Sequence, residues 1–241
     1  MRAAAVIKTI VDVILPPVCA LCGNDVRRDR LCRGCEALLE SMAIQPPFCR
    51  VCGIPFVSGS STPHTCALCC IGTPPFIAAR SAFVYDACAL DAIHAFKYNG
   101  RVALARALGA FAAQASPCLC DGRPNVVMPV PLHKARLKER GFNQSLLIAR
   151  EISRLQKTPL DYANLRRIRP TDQQVRLSAK ERPKNVKGAF ALERPDMVRG
   201  KAVLLVDDVY TTGATIRECA AALNRAGAKV FAVTLARAVK L

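Results

Sequence analysis

The chain has 241 residues, of which 51% are hydrophobic and 22% charged. That supply of apolar side chains excludes a wholly disordered chain, and 13 cysteines over this length are too dilute for a small secreted disulfide scaffold. A formal net charge of +17 and a pI near 9.7 direct the protein toward anions, while the absence of Trp and an aromatic content of 5% argue against a surface built on stacked bases.

Residues 3–15 form a mostly apolar run broken by Lys8 and Asp12, too short to span a bilayer. Val6, Ile10, Val13 and Ile14 fall on one face of a helix. Two readings are open: a short amphipathic helix docked on the protein, or a weak foot on a membrane surface. No small-residue cleavage site precedes Cys19, and no other stretch is long enough to cross a membrane. The expected location is the cytoplasm, with the second reading placing the chain peripherally at the inner membrane face.

Eight cysteines then form four Cys-x-x-Cys pairs: Cys19/Cys22, Cys32/Cys35, Cys49/Cys52 and Cys66/Cys69. The loops between them are rich in Gly, Pro, Ser and Thr, and Glu36 to Met42 is the one short helical pattern. Cys19-Ala-Leu-Cys-Gly23 and Cys49-Arg-Val-Cys-Gly53 repeat the same device, and each is followed by a second pair. A Gly after the second Cys allows a tight turn that points backbone N–H groups at the sulfurs. Four thiolates in a tetrahedron suit Zn²⁺ and leave no open position, so the metal role is structural. A region this small needs metal to fold, and each site of four thiolates and one Zn²⁺ carries −2, which takes +17 to about +13. Sequential pairing is expected, with Cys19, Cys22, Cys32 and Cys35 on one ion and Cys49, Cys52, Cys66 and Cys69 on the other. The alternatives are an interleaved cross-brace, or His64 or Cys70 in place of Cys66 or Cys69.

The composition changes at Gly72-Thr-Pro-Pro75, and Thr73 to Phe76 reads as a linker. Beyond it, Leu90 to Phe96 and Leu104 to Ala113 have helical spacing, Asn125 to Pro129 is a short buried strand, and Asn143 to Leu155 is an amphipathic helix. Tyr162 to Ile168 fits a strand. Ala202 to Asp207 is an apolar run ending in acid, the pattern of a strand buried on both faces of a parallel sheet. Thr215 to Ala226 is a helix stopped by Gly227, and Lys229 to Leu235 is another buried strand. Alternating strands and helices give a parallel sheet with crossover helices, whose ligands bind beyond the carboxyl ends of the strands. Cys88 and Cys219 read as small core residues, and Cys118 and Cys120 as loop residues.

The run from Val203 to Thr215 carries the chemistry. A buried strand delivers Asp207 and Asp208, and a loop rich in hydroxyls with Gly213 leads into a helix N-terminus. Backbone N–H groups of Thr211 to Thr215, with the helix dipole, suit a phosphate. The two carboxylates suit sugar hydroxyls, or Mg²⁺ held through water. Phosphate at one end and a diol at the other describe a ribose 5-phosphate. The plainer alternative is an ordinary helix start beside a chance acidic pair.

Residues 203–215 closely resemble the phosphoribosyl pyrophosphate (PRPP) motif of type I phosphoribosyltransferases. Four further pieces, Phe96–Arg101, Pro129–Arg136, Arg140–Ser145 and Arg182–Asn185 leading to Gly188–Phe190, join the tandem cysteine modules. Together they resemble the ComF family of competence-associated phosphoribosyltransferase-like proteins over nearly the whole chain. The resemblance implies an α/β fold: a type I phosphoribosyltransferase-like parallel sheet with helices on both faces over residues 76–241, preceded by a small double zinc-ribbon domain over 1–75.

It also implies a site. Asp207 and Asp208 would bind the PRPP ribose hydroxyls and stand nearest the chemistry. Tyr210, Thr211, Thr212, Gly213, Ala214 and Thr215 would wrap the 5-phosphate. Pro131 to Arg136 would be the pyrophosphate loop, with Lys134 and Arg136 as charge partners and Mg²⁺ bound with the PRPP. Residues 169–187 would be a hood closing over the site and excluding water. In 6-oxopurine-salvage relatives a carboxylate stands four residues after the first acid, and here that position is Thr211.

Charge placement fits an anion site. Residues 133–140 carry four Lys/Arg against one acid, net +3, and 166–187 carry eight against two, net +6. Two function classes follow: an enzyme transferring phosphoribose from PRPP to an unidentified acceptor, and a non-catalytic adaptor on the same fold. In the second, the partners are single-stranded DNA and a protein of the uptake machinery, such as the competence helicase, met during natural transformation. DNA held through phosphates would be released by salt.

Overall fold

Strand residues alternate between two apolar clusters, and that alternation builds the α/β part. The computed structural model describes residues 18–26, 31–56, 62–85, 93, 94, 96, 102–116, 122–171, 178 and 181–239. The expected N-terminal helix, Cys88, Cys118 and Cys120 lie outside them. Four parallel strands, β1 (Ala78–Val84), β2 (Val126–Pro129), β5 (Ala202–Tyr210) and β6 (Lys229–Arg237), form one sheet in the order β1-β6-β5-β2. Val127 also makes a parallel bridge to Leu160 beyond β2. In β5, Leu204 and Val206 face one cluster while Val203 and Leu205 face the other, because successive side chains point to opposite faces.

Helices cover both faces, as expected. On one side lie α3 (Leu104–Ala115) and α5 (Gln144–Gln156), which give Leu104, Leu108, Ile148 and Ile152 to the first cluster. Gly109 lets the pair approach: a Cβ there would stand 2.6 Å from the Glu151 Cβ. On the other side, α7 (Ala214–Arg225) gives Ile216, Cys219, Ala220 and Leu223 to the second cluster. A short antiparallel pair, β3 (Leu165–Arg167) and β4 (Phe190–Leu192), stands apart from the main sheet and packs on α7 through Phe190. The expected strand over Tyr162–Ile168 therefore shrinks to three residues outside the main sheet.

Three features differ from the pattern-based expectations. The edge strand β1 was not among the predicted elements. Strand β5 continues three residues past Asp207, so the acidic pair sits within the strand and the turn begins at Thr211. Within Pro131 to Arg136, read by resemblance as a loop, Lys134 already opens the helix α4 (Lys134–Arg140), capped by His133 Nδ1 accepting from the Ala135 N–H at 3.4 Å. Part of the expected hood is likewise helical, as α6 (Glu181–Val186).

The N-terminal region is two copies of one turn-and-helix unit. The first runs through the bridge Val18–Asp25 to α1 (Arg33–Ser41), the second through the bridge Phe48–Pro55 to α2 (Ala67–Ile71). Leu39 from α1 is fully buried in the cluster that holds Phe83 and Leu235, so the first unit shares a core with the sheet. The second unit lies along β1: Ala79 donates its N–H to the Val51 carbonyl at 2.7 Å. Among the described residues no helix is long and apolar enough to cross a membrane.

Candidate functional site

The cysteines resolve into two groups of four. Cys19, Cys22, Cys32 and Cys35 lie together, as do Cys49, Cys52, Cys66 and Cys69, with the sulfurs of each group all within 4.8 Å of one another. Pairing is sequential and not a cross-brace. Each unit closes the same turn, with Gly23 donating to the Cys19 carbonyl and Gly53 to the Cys49 carbonyl, both at 2.9 Å. Both glycines have φ in the left-handed region, +81° and +71°. The third cysteine of each group, Cys32 or Cys66, stands at the N-cap position of the following helix, and Cys32 Sγ accepts from the Cys35 N–H. His64 stands outside the second group and stacks on Phe56 at 4.0 Å, and Cys70 donates to the Thr65 carbonyl.

The sulfur geometry fits zinc. Zn–S bonds of about 2.3 Å put the edge of a sulfur tetrahedron at about 3.8 Å. The Cys22–Cys32 and Cys52–Cys66 sulfur pairs stand at 3.6 and 3.7 Å. Burial opposes the Cys49 thiolate, but N–H groups of Cys66, Cys52 and Val51 outweigh it and bring that thiol down to about 6. In the same group, burial and the Cys52 and Cys66 sulfurs hold the Cys69 thiol up. A dication among the four sulfurs removes that conflict. The shell contains no open ligand position, so both sites are structural zinc-ribbon sites.

A second arrangement forms where β5 meets α7. Asp207 lies opposite Thr234 of the neighbouring β6. Its Oδ1 accepts from the Asp208 N–H at 2.9 Å and from Ser145 Oγ at 3.0 Å. Ser145 is buried in the first turn of α5, whose start is fixed by Asn143: its Oδ1 accepts from the Ser145 N–H while its Nδ2 donates to the Val130 carbonyl. One side-chain amide thus ties the end of β2 to the helix that positions Asp207.

Tyr210 ends the strand, and Thr211–Gly213 make the turn into α7. Gly213 has φ +74°, and a Cβ there would stand 2.3 Å from Tyr210 Oη, so glycine is required twice over. Thr212 Oγ1 accepts from the Ala214 N–H at 3.4 Å. The turn is backed by Tyr210, whose ring meets Phe76 edge-on at 6.5 Å. Burial raises the phenol pKa, against the opposing charges of Arg237 and Arg217. Phe76 belongs to the linker, which α7 also grips: Asn224 donates to the Pro75 carbonyl at 2.9 Å and Arg217 to the Gly72 carbonyl at 3.3 Å.

Arg167 lies within electrostatic reach of Asp207. Arg167 of β3 is half-buried, its guanidinium 5.4 Å from the Phe190 ring centroid. Burial lowers its pKa; the negative charge of Asp207 opposes that, and the positive charges of Arg136 and Arg169 add to it. Arg169 is held by the backbone carbonyls of Asn185 and Lys187 at 2.9 and 2.8 Å, which pins the start of the expected hood to its end. Arg136 is within electrostatic reach of Arg167 and pairs with Glu139 at 3.4 Å, while Lys134 is exposed on the first turn of α4. Arg167 and Ser145 were not among the expected site residues. Ser145 ends the Arg140–Ser145 segment that carries part of the family resemblance, and nothing in the local pattern distinguishes Arg167 from its neighbour Arg166.

Known proteins show the same two parts. The Double zinc ribbon domain family matches residues 10–70, and the Phosphoribosyl transferase domain family matches residues 143–240. DNA utilization protein YhgH of Escherichia coli strain K12 is 32% identical over 220 residues, spanning 90% of this chain and 88% of the relative. Competence protein F of Haemophilus influenzae is 31% identical over 219 residues, spanning 88% and 93%. The chain belongs to the ComF family. Competence protein ComFC of Bacillus subtilis extends the relation, at 26% identity over 91% of this chain and 95% of the relative. For a ComF protein the arrangement described above pairs two structural metal units with a phosphoribosyltransferase-type α/β fold, and the second unit reaches the end of β6 close to the turn before α7.

Proposed function

We propose that the protein binds PRPP, or a related phosphorylated ribose, with Mg²⁺ at the carboxyl end of β5, and acts on incoming DNA in natural competence. The observation that carries the ligand reading is the turn Thr211–Gly213. At Gly213 it has room for backbone only, it opens a helix of 12 residues, and it follows two adjacent carboxylates by two residues of β5. Helix N–H groups at such a turn take a phosphate, and Asp207 and Asp208 take ribose hydroxyls. Arg136, Arg167 and Arg169 suit the pyrophosphate, because fixed cations offset charge on a leaving group. Mg²⁺ would supply further charge neutralisation on the pyrophosphate, with the acidic pair as its nearest carboxylates. The names of the relatives, DNA utilization and competence proteins, support the biological setting.

A non-catalytic role on the same site is favoured by one residue. Thr211 occupies the position where purine-salvage relatives carry a carboxylate, so the chain has no acid there to protonate a departing or arriving purine. Transfer to an unidentified acceptor and ligand-gated handling of single-stranded DNA both start from PRPP binding. Calorimetric titration of PRPP and Mg²⁺ into the zinc-loaded protein, beside Asp207→Asn/Asp208→Asn, tests that step. Saturable binding that the double variant loses is the expected result. No binding by the folded wild-type protein overturns it.

A further inference from the structure

The contacts behind the turn continue to the second zinc site. Arg237 is the last residue of β6 and is 5% exposed. Its Nη1 donates to the Cys52 carbonyl at 2.5 Å, and its Nη2 donates to Cys52 Sγ at 3.4 Å. Its Cζ stands 4.2 Å from the centroid of the Tyr210 ring. A guanidinium held out of water needs negative charge beside it. Among the described residues, no ion pair with a carboxylate includes Arg237. Its anionic neighbour is the tetrathiolate group, which with Zn²⁺ carries −2. An N–H donated to a ligating sulfur also orients that ligand. On the other side the guanidinium meets the Tyr210 ring face, a favourable cation–π contact. Tyr210 Oη in turn lies where a Gly213 Cβ would be.

We infer that Arg237 is a positioning residue that couples the second zinc site to the turn Thr211–Gly213. Zinc at Cys49, Cys52, Cys66 and Cys69 holds Arg237, Arg237 holds the Tyr210 ring, and the ring sets the backbone of the turn. Coupling between two sites is reciprocal, so a ligand seated in the turn retains zinc in the second site. The first site provides the internal control. Cys19 and Cys35 pack in the apolar cluster on the opposite face of the sheet from Tyr210, and Cys22 is exposed.

The ligand half of this coupling rests on the proposed PRPP site, and the zinc half does not, so the experiment reads them separately. Hydrogen exchange is followed in the full-length, zinc-loaded chain for the peptide covering residues 210–217. Arg237→Met and Cys69→Ser are expected to speed exchange of the turn amides at least tenfold, while Cys35→Ser leaves them at the wild-type rate. Arg237→Lys keeps the charge but not the fork, and is expected to fall between, which decides the matter should Arg237→Met fail to fold. In parallel, a colorimetric chelator reports zinc release with and without PRPP and Mg²⁺. Release from the second site is expected to slow several-fold with ligand in the wild type and not in Arg237→Lys. Turn amides unchanged in folded Arg237 variants overturn the coupling. Altered amides in the Arg237 variants, beside a wild type that binds no PRPP, sustain the zinc half and remove the ligand reading alone.

Discussion

Ser145 Oγ donates to Asp207 Oδ1 across 3.0 Å, joining the first turn of α5 to the carboxyl end of β5 over 62 residues of sequence. The hydroxyl is buried, and the same carboxylate oxygen also accepts from the Asp208 N–H at 2.9 Å. Asp207 is thereby turned to a fixed direction before any ligand arrives.

Removing that donor should loosen the carboxylate without disturbing the core. Ser145→Ala is expected to weaken PRPP binding about five- to tenfold, the equivalent of one hydrogen bond of about 1 kcal/mol. Its melting temperature should stay close to wild type. Ser145→Thr retains the hydroxyl and should recover most of the affinity in the same titration. An unchanged affinity in Ser145→Ala would remove Ser145 from the site.

The turn before α7 makes a harsher prediction. Gly213→Ala forces a residue with a side chain to φ +74° and sets its Cβ against Tyr210 Oη. The backbone term alone costs about 1–3 kcal/mol. The tyrosine cannot yield freely, since Phe76 and Arg237 pack on its ring. Calorimetric unfolding should show a lowered transition, and PRPP binding should disappear even at temperatures where the variant is folded.

Much of this architecture was legible in one dimension, for identifiable reasons. Metal ligands declare themselves by spacing, and both cysteine groups pair as their order along the chain suggests. Strands β2, β5 and β6 are apolar runs because the sheet is covered on both faces, and a parallel central strand has no solvent side to mark. Strand β1 was hidden for the opposite reason. Ala78-Ala-Arg-Ser-Ala-Phe-Val84 is rich in small residues and carries Arg80 and Ser81, yet Ser81 is buried against Thr234 of β6 at 2.6 Å. A hydroxyl pair inside a sheet looks polar until both partners are seen. The same limit applies to the site. Asp207 and Gly213 share one local motif, whereas Ser145, Arg167 and Arg237 reach it from elements that no local pattern relates to β5.

The two repeated glycine turns separate what the zinc units do alone from what they do for the sheet. Gly23 and Gly53 share the left-handed conformation, so alanine strains each backbone by about 1–2 kcal/mol. Around Gly23 a Cβ meets nothing within 4 Å, but at Gly53 it would stand 2.5 Å from the Ala79 carbonyl oxygen. Gly53→Ala should therefore lower the melting temperature well beyond Gly23→Ala, although both retain all eight cysteines of the two zinc groups and should still bind two zinc ions per chain. Equal losses in the two variants would show that the second unit does not lean on β1 in solution.

Basic charge supplies the last prediction, because it separates a DNA surface from a PRPP pocket. Lys184 and Lys187 are exposed at the α6 segment, beside the carbonyls that hold Arg169. Single-stranded DNA bound through phosphates loses affinity as salt rises, with a log–log slope of about −0.7 per neutralised phosphate. Lys184→Ala/Lys187→Ala should flatten that slope by about 1.4 if both lysines meet phosphates, by the same rule. The loss should be uniform across DNA sequences, since phosphate contacts carry no base information. Asp207→Asn/Asp208→Asn should leave the slope at its wild-type value while abolishing PRPP binding. Filter binding at a series of salt concentrations reads all of these at once. A DNA affinity insensitive to salt would mean that the +17 charge of the chain serves some other anion.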